Sequence, residues 1–181
     1  MSKRALKKYI SEMPREPLED LVTLLYDKFK PVKVYFDFVF APQTQKMIDA
    51  AKVKIEAEYF PKTLKRAKLR RTVANNFIKH FISLEMAPEK IIELMFFNIQ
   101  LQLKYSRKRY IRHENFYKGT YTNFVQLIKF SMQHGFYADN QREIAQIIQD
   151  VEIQNWPNAT NFADIHAELL SKSEFQKLLE K

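Results

Sequence analysis

Apolar residues recur along most of the chain at three- and four-residue intervals, the spacing that gathers side chains onto one face of an α-helix. Leu18, Leu21, Val22, Leu25 and Phe29 form one such stripe. Pro17 suits the first turn of its helix, where a missing N–H costs nothing, and a short helix over 3–12, ended by Pro14, precedes it. Residues 44–60 repeat the pattern with Ile48, Ala51, Ile55 and Tyr59 until Pro61 stops them. Residues 68–85 carry Leu69, Val73, Phe77, Phe81 and Leu84. From Pro88, residues 91–105 are apolar around most of the circumference, which predicts a central helix.

Residues 114–134 follow with Tyr117, Tyr121, Phe124, Val125, Ile128 and Met132 inward, and Gly135 with Phe136 predicts a Schellman stop. Asn140 and Glu143 have capping-box spacing ahead of the stripe Ile144, Ile147, Ile148 and Val151, which Trp156-Pro157 ends. Phe162, Ile165, Leu169, Phe175, Leu178 and Leu179 then mark either two short helices or one kinked helix. Residues 32–40, between Pro31 and Pro42, are strand-like by propensity. Helix is the favoured reading there and strand the alternative, because a lone strand leaves its backbone hydrogen bonds without a partner.

The predicted fold is therefore all-α: a single-domain irregular helical bundle, with HEAT-like stacked helical hairpins as the alternative. Helix starts near 44, 89 and 140 have about the right spacing for two-helix repeats, but no residues match at that period. Residues 1–155 are expected to form a basic helical domain, with 156–181 as an acidic helical tail docked on it. Composition agrees. Gly119 and Gly135 are the only glycines among 181 residues, too few for a fold of tight hairpin turns. They cannot supply a phosphate-cradling glycine loop either.

The chain has no cysteine, which excludes disulfides, thiolate chemistry and Cys-ligated zinc and agrees with a reducing compartment. Ser2 to Lys8 is charged where a signal peptide needs its apolar stretch, and no window reaches transmembrane length, so a cytoplasmic protein without membrane association is expected. The triplet Asn158-Ala159-Thr160 reads as an accidental glycosylation match in that setting.

Charge changes the picture most. Residues 1–135 hold 26 Lys/Arg against 13 Asp/Glu, whereas residues 136–181 hold 4 against 8. The positive charge gathers in Lys3, Arg4, Lys7 and Lys8; in Lys62, Lys65, Arg66, Lys68, Arg70 and Arg71; and in Lys104, Arg107, Lys108, Arg109 and Arg112. The second and third clusters are the candidate polyanion site, with Tyr105 and Tyr110 placed to stack on exposed bases. The bland alternative is two solvated inter-helix loops.

No catalytic, cofactor or metal residues are assigned. No two of His80, His113, His134 and His166 have the four-residue spacing that puts two imidazoles on one helical face. His80 is expected to be partly buried and hydrogen-bonded, and His113 is the histidine worth testing. Glu93, on the otherwise apolar helix, must be paired, neutralised or at a pocket; a polar strip shared with Lys90, Gln100 and Lys104 is the favoured reading. The aromatic set Tyr117, Tyr121, Phe124 and Phe130 is expected to be core.

The segments Ser2–Tyr9, Phe29–Lys33, Phe36–Phe40 and Phe77–Ile82, in that order, resemble a family of small uncharacterised bacterial helical proteins known only as a domain of unknown function. The resemblance spans about residues 1–150, and the stretch after Trp156 reads as particular to this chain. It implies a cytosolic helical protein and no activity or functional residue. The leading expectation is a non-enzymatic helical interaction module that binds an acidic protein or other polyanion. Nucleic-acid binding is the alternative, and an enzyme with an unrecognised hydrolytic site around Glu93 or His113 a weaker one.

Overall fold

In the computed structural model, which describes residues 2–62 and 66–179, with side chains described only as far as 172, the chain is helical throughout and contains no strand among the described residues. The helices are α1 (Lys3–Ser11), α2 (Arg15–Lys28), α3 (Lys30–Phe40), α4 (Thr44–Tyr59), α5 (Arg71–Ser83), α6 (Pro88–Lys108), α7 (Glu114–Gln133), α8 (Gln141–Ile153) and α9 (Ala159–Leu179). They fall into two compact units, Met1–Gln43 and Thr44–Lys181.

In the first unit, Ser2 caps α1 by accepting from the Ala5 amide at 3.3 Å. The segment that propensity marks as strand is α3: with no partner strand, its backbone bonds close within the helix, and Pro31 sits in its first turn. Helices α2 and α3 pack through Tyr26, whose hydroxyl donates to Asp37 at 2.7 Å and whose ring meets Phe36. No residue of α1–α3 is fully buried.

The second unit is built around α6, which packs against α4, α5, α7 and α8. Its ten buried residues include Ile91, Leu94, Ile99, Leu101 and Leu103, as its all-round apolar pattern predicts. All of these contacts join helices one or two elements apart, a pattern that fits a bundle centred on α6 and stacked helical hairpins alike. Helix α9 runs as one element to Leu179 rather than as two short helices. It packs on α7 and α8 and buries Phe162 completely against Phe124 and Trp156.

Two helix ends illustrate what local sequence decides. Gly135 adopts φ +80°, Phe136 N–H reaches back to the Ser131 carbonyl at 2.8 Å and Gly135 N–H to Met132 at 3.2 Å, the two bonds of a Schellman stop. The capping box expected at Asn140 does not form. The Asn140 amide instead donates to the Phe136 carbonyl at 2.7 Å, tying α8 to the turn before it. One local use of the side chain displaces another.

Candidate functional site

The connector between α4 and α5 does not extend α5 back to residue 68; it wraps onto Glu58. Leu69 takes φ +55°, and this left-handed residue lets Lys68 N–H and Leu69 N–H both donate to the Glu58 carbonyl, at 3.0 and 3.1 Å. Arg70 completes the grip: its backbone N–H, Nε and Nη2 donate to the Glu58 carboxylate at 3.2, 3.0 and 2.7 Å. The guanidinium holds this nearly buried carboxyl below its ordinary range, against the opposing effect of desolvation. The grip fixes the residues on either side of Arg70, Leu69 and Arg71, in the wall of a cleft.

That cleft, of about 610 Å³, lies between the end of α4, the connector, α6 and the start of α7. Lys68, Arg71, His113 and Lys118 bring positive or protonatable groups to its lining, and no carboxylate among the described residues lines it. Its apolar surface comes from Leu69, Ile111 and Phe116. In the wall, the Gln102 amide donates to the Tyr59 hydroxyl at 2.9 Å, and burial pushes that phenol up to about 12. Gln102 is 2% exposed and its Oε1 has no partner among the described residues.

Gly119 explains how Arg71 is placed. A Cβ built on this buried glycine would stand 2.8 Å from both Cδ and Nη1 of Arg71, so the arginine side chain lies across α7 in space that any other residue would fill. Glycine inside a helix costs about 1 kcal/mol relative to alanine. Here the missing Cβ leaves room for close passage of a cation. Arg71 has no carboxylate within salt-bridge distance among the described residues, whereas Lys118 is held by Glu114 at 2.8 Å.

The two basic clusters thus divide by task. Arg70 is bound to Glu58, and Arg107 reaches Asp150 of α8 at 2.6 Å. Lys104 and Lys108 lie over the Phe60 ring at 5.3 and 5.9 Å. Lys68 and Arg71 enter the cleft; Lys62, Arg66, Arg109 and Arg112 are exposed outside it, and Lys65 lies outside the described residues. Tyr105 is not available for base stacking, because Tyr59, Phe60 and Phe116 meet its ring at 6.1, 5.8 and 6.5 Å. Tyr110, 89% exposed, is free on the loop that Tyr117 anchors through the Ile111 carbonyl.

Glu93 is ion-paired at the edge of a second cleft of about 370 Å³, with Lys52 at 2.5 Å and Lys90 at 3.1 Å. Lys52, then Lys90, hold its carboxyl below the ordinary value. A paired, half-exposed carboxylate of this kind is poorly suited to accept a proton near neutrality. His80 is exposed rather than partly buried, because it points away from the Ala74–Ile78–Phe81 face of α5. No described helix is long and apolar enough to cross a membrane.

A model of a family of unknown function, DUF6155, matches residues 1–169. The chain belongs to this family. The match runs beyond residue 150 and through the first half of α9, so the stretch after Trp156 is not particular to this chain as far as residue 169. The packing of Phe162 and Trp156 against α7 gives the physical reason: these residues complete the core of the second unit. No curated protein matches, and no solved structure matches. Neither the family nor the clefts indicate a catalytic activity.

Proposed function

We propose that this protein is a helical binding module whose basic cleft receives an anionic group of a partner, an acidic protein segment or another polyanion. The observation that carries this reading is Arg71, seated over Gly119 in a cleft with Lys68, His113 and Lys118 and without a lining carboxylate among the described residues. A cation without an internal partner, placed at a structural cost, is available to a bound anion. Exposed Arg66, Arg109 and Arg112 add long-range attraction around it. Cytoplasmic placement, from the cysteine-free composition, belongs with this proposal.

Titration with poly-L-glutamate and with mixed-sequence RNA at two salt concentrations tests the reading. Binding that weakens with salt and is reduced by replacing Lys68 and Arg71 with methionine supports it. No binding of either polymer at low salt overturns it. Exposed Tyr110 between Arg109 and Ile111 favours RNA as a second reading, since an aromatic ring beside guanidinium groups suits base stacking. Tyr110→Ala would then weaken RNA binding and leave poly-L-glutamate binding unchanged.

A further inference from the structure

Resting on the reading that the cleft takes an anion, we infer that its specific occupant is a small organic phosphate monoester, with the phosphate on Arg71 and Lys68 and the organic body against Phe116 and Ile111. Several cationic groups line one cleft. The Arg71 fork and the Lys68 ammonium share the cleft. The first turn of α7 opens into it too, since His113, its N-cap, makes no side-chain cap bond and His113, Asn115 and Phe116 all line the cleft. The Phe116 amide is used by the His113 carbonyl at 3.0 Å, so the guanidinium fork, with the positive end of α7 behind it, is what suits the several acceptor oxygens of a dianionic phosphate.

The rest of the cleft suits a body attached to that phosphate. Its volume of about 610 Å³ far exceeds what inorganic phosphate needs and falls in the usual range for small-molecule sites. Phe116 and Ile111 offer apolar surface. Gln102, almost fully buried in the wall, holds the Tyr59 hydroxyl in place beside that surface. Two carboxylates stand in the neighbourhood and neither is among the lining residues: Glu114 already holds Lys118, and Glu58, which also feels Lys68, is held by Arg70.

The test is calorimetric titration of the full chain with phenyl phosphate, benzoate and poly-L-glutamate, repeated for Gly119→Ala and Arg71→Met. A methyl group at 119 displaces a flexible arginine rather than backbone and adds helix propensity, so this variant should fold. Phenyl phosphate should bind at least about tenfold more tightly than benzoate and weaken about tenfold in Arg71→Met, as loss of one charge-assisted contact implies. Gly119→Ala should weaken phenyl phosphate about fivefold while changing poly-L-glutamate, which draws on the wider basic face, by less than about twofold.

Equal binding of phenyl phosphate and benzoate, or full phosphate binding in Gly119→Ala, overturns the inference. So does a phosphotyrosine peptide that binds more than about tenfold tighter than phenyl phosphate, which would make the partner a protein. Poly-L-glutamate binding without phosphate binding removes this inference and leaves the broader reading standing. Failure of both probes removes both.

Discussion

Replacing Glu58 with glutamine should destabilise the second unit at neutral pH and leave it almost unaffected in acid. Glu58 is 7% exposed and accepts three hydrogen bonds from Arg70, one of them from the backbone. Bonds to charged groups contribute roughly 1.5–3 kcal/mol each when buried. The Arg70 side chain is 56% exposed, however, so its two contacts are discounted towards the surface-pair range of about 0.2–1 kcal/mol. With the backbone bond partly retained by the amide oxygen of glutamine, the net loss is about 1–2 kcal/mol, or a fall of roughly 3–6 °C in Tm.

The pH dependence follows from the lowered Glu58 pKa. A carboxyl held lower in the folded than in the unfolded chain contributes stability above its unfolded value, and that contribution disappears as pH falls through the folded value. The gap between wild type and Glu58→Gln should therefore be full at pH 7 and close as the pH drops below about 4. Urea unfolding followed by circular dichroism at pH 7 and at pH 3 measures it. A gap below about 0.5 kcal/mol at pH 7, or one that persists unchanged in acid, would refute the argument that this ion pair holds the connector.

Other substitutions test separate parts of the fold. Tyr59→Phe strips the Gln102 amide of its partner among the described residues and should cost about 1–2 kcal/mol by urea unfolding; in the wild type, ultraviolet titration should show a tyrosine ionising near 12. Gly135→Ala forces a side chain into φ +80° where nothing crowds it, so the cost, about 1 kcal/mol, is conformational and should vanish in Gly135→Asn more than in Gly135→Val. Val151→Asp should lower stability by several kcal/mol and Ile148→Asp by clearly less, because Val151 is fully buried and Ile148 only partly so; equal losses would mean that α8 is rotated from the described face.

The helices were largely legible because each has a periodic apolar face with a proline or glycine boundary near it. Pro88, Gly135 and the all-round apolar run of α6 placed their elements to within a few residues. Boundaries slipped where a residue answered to something distant. Residues 68–70 continue the helical pattern of α5, yet their amides are drawn to Glu58, ten or more positions earlier. The Asn140 cap fails for a nearer reason, because its side-chain amide donates to the Phe136 carbonyl four residues back. Stripe patterns report which face is buried, but they carry no information on which carboxylate an arginine will meet.

The same limit separates the basic clusters from the cleft. In sequence, Arg70 and Arg71 are equivalent neighbours; in space, one is consumed by Glu58 and the other crosses Gly119 into open volume. The discriminating signal was present, though not among the charges. A glycine six residues into a long helix lowers helix stability without making a turn, so something must need the missing Cβ. Read that way, Gly119 points to a close passage over α7 before any partner is known, and the partner proves to be the one arginine of its cluster seated in the cleft. Binding chemistry in this protein is therefore better sought from the backbone position that makes room for a cation than from the density of cations along the chain.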